Sequence, residues 1–211
     1  VLHFIMQHFD RAGILQMERN FRVNLVNSLS GYKPANLIGT LGSDGVENLA
    51  IFSSVVHLGS DPALLGFIQR PIGEQSHTYK NIIASGFFTI NHVSTAHVEQ
   101  AHYTSARFEK DVSEFKSCGF TPRYAMGFTA PFVQEAAVQI GMRFVQEIKI
   151  ELNDTRLMIG QIDHVFINDG LVDSDGSLRL EDAQVACISG LDTYFQAQRI
   201  ARFPYAKPNP K

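Results

Sequence analysis

Arg70 leaves an apolar run, and a short polar loop then leads to Ser76, His77, Thr78 and Lys80 at the start of a helical pattern. These residue types suit a phosphate. An arginine offers two parallel donors to a phosphate, and a helix N-terminus adds unpaired backbone N–H groups and a partial positive charge. The Ser76 and Thr78 hydroxyls add donors and Lys80 adds charge. An ordinary capped helix beside a surface arginine has the same composition. The stretch Glu47 to Arg70 supplies the rest. Ala50, Ile51 and Phe52 form an apolar run that turns polar at Ser53 and Ser54. Val55, Val56 and Leu58 resume it, Gly59 to Pro62 make a turn, and Ala63 to Ile68 form a second run that ends in Arg70. Two strands around a polar elbow, with a basic exit, would organise the chain.

Other constellations fail on spacing. Gly39, Gly42 and Gly45 lack the G-x-G core of a dinucleotide fingerprint and lead into a strand; Asp44-Gly45 is a hairpin turn. Neither a G-x-x-x-x-G-K loop nor a G-x-S-x-G elbow occurs. Placing Gly176 at the sixth position of a calcium loop puts Leu171 where a carboxylate is required, so Asp173 and Asp175 read as a solvated turn. His92, His97 and His102 recur every five residues, which rotates each well off the preceding face of a helix, so no shared metal site is expected. Glu135, Glu147 and Glu151 show no paired-carboxylate spacing. Cys118 and Cys187 are not at metal spacing and read as free, buried thiols of a reducing compartment, which points to the cytoplasm.

The elements that must position the phosphate-type residues follow from periodicity. Met17, Phe21, Leu25 and Leu29 recur at helical spacing, which predicts a helix over 16–31 with Gly31 as its C-cap. Strands are expected over 36–41, across the two runs of 47–70, over 87–93, over 138–152, over 156–167 and over 185–188, with Asn153-Asp154 as a tight turn. Helices are expected over 76–85, capped by Ser76 and Gly86, from Ser94 to His102, and over 111–117, with a helical turn over 178–183. That makes about six or seven strands joined mostly by tight turns. The fold class is therefore mainly β, an antiparallel barrel with a few flanking helices. The net charge of −3 gives no electrostatic reason for a nucleic acid or an anionic membrane as partner. No apolar run reaches the roughly 18 residues that a spanning helix needs. The first residues show no basic segment or cleavage site of a signal peptide, and Met6 as the natural start would make Val1 to Ile5 an extension.

The order of these pieces resembles the flavin reductase-like family. Pro34 to Thr40 and Asn48 to Ser54 match its first strands, and Asp61 to Phe67 with Arg70 matches its D-P-P-L strand and polar exit. His77 to Ile82 resembles its K-x-T-xx-N-I helix, Gly86 to Asn91 its G-x-F-x-V-N strand, Ser113 to Phe115 its later dKF element, and Ile188 to Tyr194 its terminal Gly-x-x-Tyr. Two departures accompany the match. Glu47 stands where the family has proline, and Ile51 with Phe52 replaces smaller residues, which would narrow the face above a flavin.

The resemblance implies an FMN-binding split β-barrel, Greek-key-like, over 34–195, after an N-terminal helical segment (1–33) and before an extended tail (196–211). It implies that Asn48, Ala50, Ile51, Phe52, Ser53 and Ser54 line the isoalloxazine and ribityl chain, largely through backbone groups. Arg70, Ser76, His77 and Thr78 would hold the phosphate, Asn91 would lie near the ribityl or phosphate, and Tyr194 near the ring or a partner subunit. The activity implied is that of an NAD(P)H-dependent flavin reductase, with NADH or NADPH as donor and a homodimer as the assembly. An FMN-containing electron-transfer protein without nicotinamide turnover is the alternative, and a non-enzymatic barrel binding another ligand is a third. Hydride chemistry needs no acid, base or nucleophile from the protein, because the cofactor carries the reactive atoms.

Overall fold

The computed structural model describes residues 6–208; the expected extension Val1 to Ile5 and the last three residues of the tail lie outside them. Helices α1 (Arg11–Gln16) and α2 (Arg19–Ser28) lead into a two-residue strand, β1 (Lys33–Pro34). Strands β2 (Asn36–Leu41), β3 (Glu47–Phe52), β4 (Val56–Ser60) and β5 (Ala63–Gln69) follow, then α3 (His77–Ser85) and β6 (Phe87–His92). A single 3-10 turn (Thr95–His97) precedes α4 (Val98–Tyr103) and α5 (Glu114–Ser117). The chain continues through short β7 (Pro122–Arg123) and β8 (Phe132–Val133), long β9 (Val138–Ile150) and β10 (Thr155–Ile167), and finally β11 (Ala186–Ser189) and β12 (Thr193–Gln196).

Seven strands form one antiparallel sheet in the order β3-β2-β6-β9-β10-β5-β4. Its two edges, β3 and β4, are joined by residues 53–55 alone. The four steps from Phe52 to Val56 span at most about 14 Å, so the sheet must curl until its edges approach, which makes it a barrel. Ser54 pins the closure: its Oγ accepts from the Ile68 N–H at 3.0 Å and donates to the Ile68 carbonyl at 3.3 Å. Phe52 meets Phe67 edge-on, with ring centroids 4.9 Å apart.

The barrel interior is apolar. Ile38, Phe67, Phe88, Ile90, Met142 and Met158 are buried there, and α3 closes one end with Ile82. A second cluster lies outside the β2–β3 wall, where Leu37, Leu49, Val93, Phe115, Val133 and Ile188 pack under α4, α5 and β11. β11 also pairs with β1 and β12 in a separate small sheet. The fold is thus mainly β, a split barrel with a few helices.

Several boundaries differ from expectation for local reasons. The N-terminal helix begins at Arg19, where Glu18 accepts from the Phe21 N–H at 2.9 Å, and α1 precedes it. Gly31 is left-handed (φ +74), but the last helical residue is already Ser28. The stripe at 17, 21, 25 and 29 finds no core, and neither α1 nor α2 contains a buried residue. Only 114–117 of the 111–117 segment is helical. Residues 180–183 form turns after a Val172–Leu178 bridge, and the Ala183 N–H donates to the Arg179 carbonyl at 3.2 Å, a single helical turn that is not continued into a helix. The strand expected at the end of the chain is followed by another, β12.

One end of the barrel interior holds a polar exception. Cross-strand register places Phe52, Asn36 and His92 in one row. Asn36 is 1% exposed, and neither atom of its amide finds a partner among the described residues. The buried Nδ1 of His92 is likewise unpaired, and burial pushes the imidazole down to about 4. The folded state therefore binds a proton less readily than the unfolded chain, whose imidazole titrates near 6.5. The stability this contributes is present above pH 6.5 and lost as pH falls through about 4. Between pH 7 and pH 5 the loss is expected to be about 2 kcal/mol. Urea denaturation at both pH values checks it: His92→Asn should lose correspondingly less than the parent, and an equal loss in both refutes the assignment.

Candidate functional site

The N-terminus of α3 is positioned by a chain of side-chain hydrogen bonds. Thr40 Oγ1 on β2 accepts from Asn48 Nδ2 on β3 and from Asn81 Nδ2 on α3, both at 3.1 Å. Asn48 Nδ2 also donates to Thr78 Oγ1 at 2.9 Å. This network ties the first turn of the helix to two strands. Ser76 occupies the N-cap position, but its hydroxyl accepts from the Gly73 N–H at 3.0 Å and makes no cap bond to the helix. The expected side-chain cap is instead a loop closure, because the Ser76 hydroxyl is taken by the Gly73 N–H of the preceding turn. The first N–H groups of α3 are left without a side-chain acceptor, which is the donor set an anion needs.

Beside this helix end lies a cleft of about 290 Å³ between the β2–β3 turn, the first turn of α3 and the segment 110–114. Asn48, His77, Lys80, Asn81, Lys110 and Glu114 are among the residues lining it. Lys110 pairs with Asp44 at 2.9 Å across its mouth, and Lys80 Nζ donates to the Glu74 carbonyl at 2.6 Å. Burial, then the neighbouring Lys80 and Lys110, hold His77 below its ordinary value. Glu114 is 6% exposed; its Oε2 accepts from the Leu49 N–H at 3.1 Å. Burial pushes that carboxyl above the usual range, against the opposing pull of the Leu49 N–H.

The Glu114 bond also fixes which way β3 faces. Val46 C=O is used inside the hairpin and the Leu49 N–H points away from it. By the alternation of an antiparallel ladder, the backbone groups of Ile51 also point to the free edge. Ala50 shares the face of Asn48, and Phe52 packs against the barrel interior. Ile51 packs into the outer cluster beneath α5. The bulk expected to narrow the face above a flavin is therefore engaged in the two cores. Asn48 itself, expected at the ring, faces Thr78 and belongs to the helix end of the site.

The remaining expected residues divide. Ser53 is half-buried in the elbow, Ser54 is committed to Ile68, and Arg70 is exposed and pairs with no carboxylate among the described residues. Asn91 is wholly buried: Nδ2 donates to the Leu37 carbonyl at 3.1 Å and to Thr89 Oγ1 at 2.9 Å, and Oδ1 accepts from the Val133 N–H at 3.0 Å. It brackets β2 to β8 and presents no atom to a ligand. Tyr194 OH lies 3.1 Å from His102 Nδ1, away from the cleft, and burial followed by the Asp192 charge pushes it up to about 12. Both cysteines are free thiols, but only Cys118 is buried; Cys187, expected to be buried, is half-exposed on β11. Sequence reasoning missed Lys110 and gave Glu114, within the Ser113 to Phe115 motif, no place in the site. Nothing in their spacing relates them to β3, whereas Asn81 stood within the helix motif.

The model of the flavin reductase like domain matches residues 32–181. A crystal structure from Shewanella frigidimarina, described as a candidate flavin reductase with a split barrel domain, is 44% identical, with a TM-score of 0.92 over 95% of this chain and 100% of that one. Nitrilotriacetate monooxygenase component B from Bacillus cereus shares the fold at 19% identity, with a TM-score of 0.82 over 94% of this chain and 98% of that one. Flavoredoxin of Desulfovibrio vulgaris does so at 21% identity, with a TM-score of 0.73 over 83% of this chain and 92% of that one. The chain belongs to the flavin reductase-like family and has its split-barrel fold.

Proposed function

We propose that the protein is an FMN-binding oxidoreductase, an NAD(P)H-dependent flavin reductase. The observation that carries this reading is the α3 end of the site: backbone donors left uncapped, braced by the Asn48–Thr78 and Asn48–Thr40 bonds, beside His77 and close to a free β3 edge. FMN fits that donor set, with its phosphate at Ser76, His77 and Thr78 and with Arg70 as its charged partner. Its ring would lie along the elbow at Ile51, Phe52, Ser53 and Ser54, next to Ala50. When bound, the flavin supplies the hydride acceptor and donor. The protein orients it through the backbone groups of the β3 edge, and the uncapped helix N–H groups hold negative charge without a titrating residue.

Residues 34–195 form the binding unit in this reading, with 1–33 and 196–211 as appendages. A homodimer accounts for the apolar stripe of α2, because Phe21, Val26 and Leu29 remain exposed at 54%, 49% and 70%. A helix of that length is marginal in water without an apolar face to bury. No helix among the described residues is long and apolar enough to cross a membrane; we place the protein in the cytoplasm on its free thiols.

Purified protein should take up FMN, turn yellow, and bleach anaerobically with NADH or NADPH. Binding with bleaching that is very slow would favour the electron-transfer alternative. Protein that neither takes up FMN nor gains melting temperature from it would refute the reading.

A further inference from the structure

Glu114 is a buried carboxylate that no cation neutralises among the described residues. Leaving such a charge in a poorly hydrated wall is costly unless strong donors reach it. One oxygen, Oε2, is fixed by the Leu49 N–H at 3.1 Å, and the residue lines the cleft beside α3. Its place along β3 is specific. Leu49 follows Asn48, whose amide touches Thr78 at the helix end, and precedes Ile51, whose backbone faces the free edge. At roughly 3.3 Å per residue, Leu49 lies within about 7 Å of each along the strand, and Glu114 is bonded to Leu49.

We propose that Glu114 accepts hydrogen bonds from the ribityl hydroxyls of the bound flavin, and so selects a polyol linker between ring and phosphate. The inference rests on the reading of the cleft and elbow as an FMN site. A carboxylate held at one oxygen by a backbone donor offers the other to a row of hydroxyls, and charge-assisted bonds of this kind are the strong ones. Lys110 and Lys80 stand on other walls of the cleft, and Lys110 is already engaged by Asp44. The hydroxyls would thus meet the oxygen that Leu49 does not occupy.

The test compares FMN with the analogue whose three ribityl hydroxyls are replaced by hydrogen, titrated by flavin fluorescence into the full chain. The parent is expected to prefer FMN by about tenfold or more, on the usual worth of a hydrogen bond to a charged group. Glu114→Gln retains an acceptor for the Leu49 N–H but not the charge, and should show a clearly smaller preference. Glu114→Ala should bring the two flavins to within about threefold. Melting temperatures of the unliganded variants check that the β3 edge still folds. If both variants keep the parent's full preference, or weaken both flavins equally, Glu114 is only an edge support and the inference falls. If the parent binds neither flavin, the FMN reading itself fails and this inference with it.

Discussion

Replacing Arg70 with alanine is expected to weaken FMN by about 1.5–3 kcal/mol, a rise in Kd of roughly 10- to 150-fold. The reason is chemical. A phosphate beside uncapped helix N–H groups is held by dipoles that are largely neutral, and His77 is kept below its ordinary value by burial and by Lys80 and Lys110. Lys110 is engaged by Asp44 and Lys80 by the Glu74 carbonyl, so in this reading the phosphate would draw on Arg70, an exposed cation with no carboxylate partner among the described residues. Because it supports no core, the substitution should leave the stability of the unliganded protein within about 0.5 kcal/mol. Arg70→Lys should recover only part of the loss, since an ammonium cannot make the two parallel bonds of a guanidinium. Isothermal titration of FMN into the three proteins decides the matter. An unchanged Kd in Arg70→Ala would remove the arginine from the site.

Gly39→Ala should destabilise the fold by about 3 kcal/mol, at the upper end of ordinary overpacking. Gly39 lies in β2 between β3 and β6, and a Cβ there would meet the Pro131 carbonyl and stand 2.6 Å from Thr89 Oγ1. Neither neighbour can yield. Thr89 Oγ1 donates to the Pro131 carbonyl at 2.7 Å, and Asn91 donates to the same Oγ1 at 2.9 Å. A methyl at position 39 must therefore lift the segment before β8 off the sheet, along with the Val133–Asn91 bond. Guanidinium denaturation of the variant measures the loss. A change below about 1 kcal/mol would mean that the segment moves freely, contrary to this packing.

How much could be foreseen depended on whether the cause was local. The β2–β3 hairpin is local, because Asp44-Gly45 sets the turn and alternation sets the strands. The same holds for β9 and β10 around Asp154, and for α3, which ends at a left-handed Gly86. The placement of β3 and β4 at opposite edges is not local. Two apolar runs around Ser53 and Ser54 look the same whether they form a hairpin or a closure, and only the pairing of β5 with β10 decides. Asn91 misled for a similar reason: a polar residue in a strand motif looks like a ligand until Leu37, Thr89 and Val133 are found around it. Glu114 stood within the Ser113 to Phe115 motif, but its contact was hidden because its partner, Leu49, is far away in the chain. The stripe on α2 was legible as a pattern, but a pattern cannot say which surface, or whose, it covers.

The closure at residues 53–55 has a thermodynamic consequence. β3 and β4 end the sheet and do not pair with each other, so the barrel has a seam held by Ser54, Phe52 and their neighbours. A ligand whose ring rests on the β3 edge and whose phosphate is gripped after β5 spans that seam as a rivet spans a joint. Its binding free energy then becomes resistance to opening the barrel, growing with the logarithm of ligand concentration above Kd. If FMN binds as proposed, it would act as a fastener, and the ligand-free protein would have the looser joint.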